Sequence, residues 1–236
     1  MQKPLQLSSG KLLVGDFDWS PAGNEIVFSH KPTSDLDVAS LEGDISIVSV
    51  PGAEELDSMQ EDIGEEEGES DEDTPLRIVG NMRTLIAGSG EEGNPFWSPD
   101  GDWIAYTSPG NEPNLIGLND VYVVPAGGGD SRRLAQTPNR SANIAAWSKD
   151  SDELFLVETL GTRRAVIGLP LRGDSIRTVT PETGVVGSVS IAGSADSLVY
   201  TWQTADQPWN LFAQSTESRP GSVQLTDLHA EIELPV

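Results

Sequence analysis

The stretch Phe96-Trp97-Ser98-Pro99-Asp100-Gly101, running on through Asp102-Trp103 into Ile104-Ala105-Tyr106, decides the fold. Pro99 presets φ at the second position of a turn, Asp100 bonds to nearby backbone, and Gly101 takes a conformation that other residues resist. The segment therefore predicts a tight hairpin that joins one short strand to the next.

The same register recurs. Phe17-Asp18-Trp19-Ser20-Pro21-Ala22-Gly23 and Ala145-Ala146-Trp147-Ser148-Lys149-Asp150-Ser151 are clear copies, and Val189-Ser190-Ile191-Ala192-Gly193-Ser194-Ala195 is a faded one. In every copy an apolar run begins seven residues after the anchor, at Ile26, Ile104, Leu154 and Leu198. A third strand follows at Asp44-Ile45-Ser46-Ile47-Val48, Asp120-Val121-Tyr122-Val123-Val124, Arg164-Ala165-Val166-Ile167 and Trp209-Asn210-Leu211-Phe212. A fourth closes each unit at Arg83-Thr84-Leu85, Arg132-Arg133-Leu134, Arg177-Thr178-Val179 and Val223-Gln224-Leu225. From the fourth strand to the next anchor is 12 residues (Leu85 to Trp97), 13 (Leu134 to Trp147) and 12 (Val179 to Ile191).

Four short strands per unit, repeated in fixed register, is the arithmetic of a propeller blade. The expected fold is all-β, a β-propeller with four recognisable four-stranded blades at residues 15–86, 93–135, 143–180 and 187–226. An unrelated meander or sandwich is the alternative, but it gives no reason for tryptophan to recur beside the turn. Leu7 stands 12 residues before Trp19, the fourth-strand spacing again. Residues 5–7 are thus expected to be the outer strand of a preceding blade, in a larger propeller of about seven blades.

Composition agrees with a β-rich globular chain: 236 residues, 36% hydrophobic, with 24 glycines and 16 prolines. The absence of cysteine excludes disulfide scaffolds, thiolate metal sites and cysteine nucleophiles. No export signal is legible in MQKPLQLSSG, and nowhere do 18 apolar residues run together. A cytoplasmic location with no membrane partner is the expectation. The formal net charge of -24 argues against nucleic acid as a partner, since both are polyanions. Four lysines against ten arginines, on an acidic surface, resemble proteins of salt-adapted organisms or belong simply to an acidic protein.

Half of the net charge lies in residues 53–73, which hold 12 acids and no Lys or Arg. This run interrupts the first blade between its third and fourth strands. Its composition cannot bury a core, which predicts a disordered insertion. It lacks the Asp-x-Asp-x-Asp-Gly pattern of a calcium loop, and a basic protein partner docking there is the alternative role.

Catalytic signals are weak. A hydrolase nucleophile needs Gly-x-Ser-x-Gly, but the one pair of glycines four apart, Gly64 and Gly68, brackets Glu66. The two histidines, His30 and His229, read as ordinary polar residues rather than triad bases. Gly127-Gly128-Gly129 has no following Gly-Lys-Ser/Thr and reads as a hairpin turn rather than a phosphate cradle. Trp19, Trp97 and Trp147 share one repeat position and are expected to be packing anchors, whereas Trp103, Trp202 and Trp209 are less constrained and one of them is a candidate for exposure. No catalytic, cofactor-binding or metal-binding residue is expected, and no cofactor.

Trp97-Ser98-Pro99-Asp100-Gly101, Ile104-Ala105-Tyr106-Thr107-Ser108, Asp120-Val121-Tyr122-Val123-Val124 and Arg132-Arg133-Leu134 together resemble the WD40-type repeat of two groups. These are the TolB-like proteins and the prolyl oligopeptidase family of serine peptidases, which includes dipeptidyl and acylaminoacyl peptidases. Asp16-Phe17-Asp18-Trp19-Ser20-Pro21 and Val223-Gln224-Leu225-Thr226-Asp227-Leu228-His229 tilt the resemblance toward the peptidases. The latter is similar to the Leu-Thr-x-Leu-Asn stretch that ends peptidase propellers, with His229 in place of the Asn. The resemblance implies a non-catalytic gate that restricts and orients peptide substrates for a separate hydrolase domain. The alternative is a free-standing TolB-like scaffold with a protein partner.

Overall fold

The computed structural model describes residues 5–8, 12–35, 42–64, 76–77, 80–88, 90–110, 118–141, 143–217 and 221–228. Of the features singled out above, His229 and residues 65–73 lie outside them.

The strands assemble into four consecutive antiparallel blades. The first contains β2 (Leu13–Trp19), β3 (Glu25–Lys31), β4 (Asp44–Ser49) and β6 (Met82–Ile86). In the second are β7 (Gly93–Trp97), β8 (Trp103–Ser108), β9 (Asp120–Pro125) and β10 (Arg132–Arg133). The third consists of β11 (Asn143–Trp147), β12 (Glu153–Leu160), β13 (Arg163–Pro170) and β14 (Arg177–Thr178). The fourth comprises β15 (Val185–Ile191), β16 (Ser197–Gln203), β17 (Asn210–Ser215) and β18 (Val223–Gln224).

The anchor motif plays the same part in each blade. Gly23, Gly101, Ser151 and Ala195, all four residues past the anchor, have φ of 70°, 81°, 58° and 54°. The left-handed position is thus kept even where glycine is gone. The amide of each donates to the carbonyl three residues back, at Ser20, Ser98, Ser148 and Ala192, over 2.7 to 3.0 Å. The motif serine pins the start of the next strand. Oγ of Ser20, Ser98 and Ser148 accepts from the amides of Glu25, Trp103 and Glu153 at 3.1, 2.9 and 3.0 Å. The faded blade has Ala192 there and loses this bond.

Side chains between blades form the core. Trp97 packs with Val27, Ile45 and Ile47 of the first blade, and Trp147 with Ala105, Val121 and Val123 of the second. Burying such a ring stabilises the fold by on the order of a few kcal/mol. Trp19 departs from the expected role of packing anchor: it is 49% exposed against 7% for Trp97 and 4% for Trp147, because among the described residues β2 packs against β3 of its own blade and β7 of the second and against no other blade. Leu13, Val14 and Phe17 share that exposure.

One further expectation is corrected. The acidic segment is not a loop over its first half: α1 (Ala53–Gly64) is a helix, with Glu54 and Glu55 in its first turn. Carboxylates there interact favourably with the helix dipole, and Ala, Glu and Leu are strong helix formers, so a segment unable to build a core still forms a helix. The N-terminal strand β1 (Leu5–Gln6) pairs in parallel with β5 (Leu76–Arg77), at the far end of the insertion. Its backbone groups take the partner within reach, and Gly80 N adds a bond to Leu7 O at 3.1 Å.

Candidate functional site

Each seam between blades is built from a repeated set of contacts. A parallel bridge joins the start of the third strand to the residues leading into the next blade, at Gly43–Glu91, Asn119–Ser141 and Arg164–Val185. Trp97 N donates to Asp18 Oδ2 at 2.8 Å across the first seam, and Trp147 Nε1 to Phe96 O at 3.1 Å across the second.

The fourth strands contribute an arginine clasp. Arg83 lies 3.8 Å from Glu25 in its own blade and donates to Ala126 O of the next at 2.7 Å. Arg177 binds Glu153 through two bonds, at 2.8 and 2.5 Å, and donates to Thr216 O of the next blade at 2.8 Å. Ala126 and Thr216 are equivalent residues, each just past the third strand. Sequence reading saw these arginines only as strand markers. The recurring Glu six residues after Trp19 and Trp147 was the signal that could have exposed them.

Two hollows open along the seams. The first, about 260 Å³, lies between the first and second blades and is lined by Asp16, His30, Lys31, Glu91 and Glu92. Lys31 pairs with Glu91 at its edge. Glu92 is only 7% exposed; its Oε1 accepts from Ser108 Oγ at 3.2 Å, while Oε2 has no partner among the described residues. Burial pushes its carboxyl up to about 7, and the nearby Asp44 charge adds to the shift. Nothing in the sequence pattern marked Glu92.

His30 lies in the same region, buried, with Nε2 and Ser46 Oγ 2.8 Å apart and its ring tilted on Phe28. Burial pushes its imidazole below the usual range, against the opposing pull of Asp44. This Ser, His and Asp grouping is no triad, because Ser46 is fully buried and no scissile carbonyl could reach its hydroxyl.

The second hollow, an open groove of about 670 Å³, lies where β11 and β15 meet and includes Arg164, Gly187 and Trp209. Trp209 is 38% exposed, whereas Trp202 packs edge-on against Phe212 and Trp103 is half-buried. Gly127-Gly128-Gly129 is a turn between β9 and β10, with φ of 96° and 131° at Gly128 and Gly129. Among the described residues no group of three or more His, Asp or Glu could hold a metal ion. No helix among them is long and apolar enough to cross a membrane.

Comparison with known proteins places this architecture. No family model matches the chain. Dipeptidyl-peptidase 5 of Trichophyton equinum is 26% identical over 153 residues, a match that takes in 62% of this chain and 20% of that protein. A puromycin-hydrolyzing peptidase of Mycobacterium tuberculosis superposes with a TM-score of 0.63 at 14% identity, over 98% of this chain and 31% of its own. The chain has the TolB and peptidase propeller fold. TolB of Acinetobacter baumannii superposes with a TM-score of 0.59 at 11% identity, over 91% of this chain and 43% of its own. The propeller thus spans about a fifth of the curated relative and less than half of either of these two structures.

Proposed function

We propose that this propeller is the non-catalytic portion of a prolyl-oligopeptidase-like serine peptidase, restricting and orienting peptides for a hydrolase domain. The observation that carries the reading is the 26% identity to a dipeptidyl peptidase over 153 residues. The chemistry of the chain is consistent with it. Gly-x-Ser-x-Gly is absent from the sequence, and His30 is engaged with a buried serine. The chain should therefore not hydrolyse peptides by itself, and labelling by a fluorophosphonate probe for active-site serines would contradict this.

Sequencing the coding region beyond the Val236 codon tests the reading directly. An α/β-hydrolase with Gly-x-Ser-x-Gly is expected there. A stop codon overturns the peptidase reading in favour of a free-standing scaffold that binds a protein partner, which the likeness to TolB supports.

A further inference from the structure

The groove between the third and fourth blades contains a positive charge, on Arg164, that has no ion-pair partner among the described residues. Arg164, half-buried on β13, donates Nη1 to Gly187 O at 3.2 Å. Among the described residues it has no carboxylate within 4.0 Å, as is also true of Arg132, Arg163 and Arg172, whereas Arg83, Arg133, Arg140 and Arg177 each have one; Arg164 alone of the unpaired arginines lines the groove. A half-buried guanidinium is matched in charge and geometry to a carboxylate, which it can hold by two parallel hydrogen bonds. Of its five N–H groups, one is engaged by a described residue.

Gly187 joins this charge to an aromatic surface. A Cβ on Gly187 would lie 3.1 Å from the Trp209 ring and 2.5 Å from Thr201 Oγ1, so the missing side chain is what lets the indole lie against β15. Trp209 thus flanks the same glycine whose carbonyl holds Arg164. Asn143 and Ser188, both exposed, add hydrogen-bonding groups to the wall.

We propose that this groove binds peptides through a carboxylate, which Arg164 holds in its guanidinium fork while Trp209 covers the adjoining apolar surface. The proposal rests on the peptide-handling reading above and names its specificity. A guanidinium matches a carboxylate bidentately, and an indole gives a large, rigid contact at little entropic cost. The acidic surface elsewhere repels such ligands, so the groove is where one can settle.

Calorimetric titration of the whole chain with three tripeptides tests this: acetyl-Ala-Asp-Ala-amide, acetyl-Ala-Asn-Ala-amide, and acetyl-Ala-Ala-Ala with a free C-terminus. At least one carboxylate peptide is expected to bind about tenfold more tightly than the Asn peptide. Preference for the Asp peptide assigns a side-chain carboxylate, and preference for the free terminus a C-terminal one. Arg164→Gln should abolish the preference, and Trp209→Phe should weaken the peptides alike while leaving the preference. Arg164→Lys, which retains the charge, should keep part of it and guards against a folding defect. Equal affinity for all three peptides, unchanged in Arg164→Gln, overturns the carboxylate site and leaves peptide handling intact. No binding by any of them overturns both.

Discussion

Arg177 binds Glu153 of its own blade through two nitrogens and, with one of them, also reaches the carbonyl of Thr216 in the next. One side chain therefore couples the outer strand of the third blade to the end of the third strand of the fourth. Arg177→Lys keeps the charge but cannot span all three acceptors, and it is expected to cost about 1–2 kcal/mol. Urea denaturation of both proteins measures this. An unchanged midpoint would mean that the clasp is solvated and contributes nothing.

Trp97 and Trp19 occupy the same repeat position in opposite circumstances, 7% and 49% exposed. Trp97→Ala leaves a cavity in the seam and should cost about 3–5 kcal/mol. Trp19→Ala removes a ring that is half in water already and should cost about 1 kcal/mol or less. Paired denaturation curves decide the matter, and similar losses would show that something covers the Trp19 face in solution.

The Glu92 carboxyl, raised to about 7, stands above its unfolded value of 4.5. Between those values the folded chain keeps a proton that the unfolded chain releases, so stability falls as pH rises through that window. Above it the penalty is complete. Glu92→Gln should remove it, leaving the variant more stable than the parent by on the order of 2 kcal/mol at pH 8 and little different at pH 4. His30, pushed down by burial, acts at the other end, because protonation of the unfolded histidine below about 6.5 draws the chain toward unfolding. Denaturation of parent and Glu92→Gln at both pH values provides the check, and a gap that does not change with pH rules out this account of Glu92.

Ala195 sits at φ 54° in the turn of the faded repeat, where the first two blades have glycine. Ala195→Gly relieves that strain and should stabilise the chain by about 0.5–1 kcal/mol, even though glycine also loosens the unfolded state. Gly101→Ala, at φ 81°, should destabilise it by about 1 kcal/mol or more. Thermal melts of the two variants are expected to move in opposite directions. Movement in the same direction would mean that the two turns are not equivalent.

Strands and hairpins were legible in the sequence because their causes are local. Trp-Ser-Pro-Asp-Gly carries its own turn, and the apolar run seven residues on has to pair with the strand just before it. The acidic insertion was harder to read. Composition tells whether a segment can build a core, but a lone helix such as α1 needs only good helix formers and acids at its start.

What the sequence determined by itself is the repeat: four anchors and four hairpins in register. Only the tertiary structure decided what each copy does. Trp97 is buried and Trp19 is not, burial pushes the Glu92 carboxyl up, and Arg164 lines an open groove while Arg177 is clasped. The physical reason is distance along the chain. A turn depends on residues within a few positions, whereas burial, charge pairing and pKa depend on the neighbouring blade, as with Trp147 and the Phe96 carbonyl it bonds from 51 residues away.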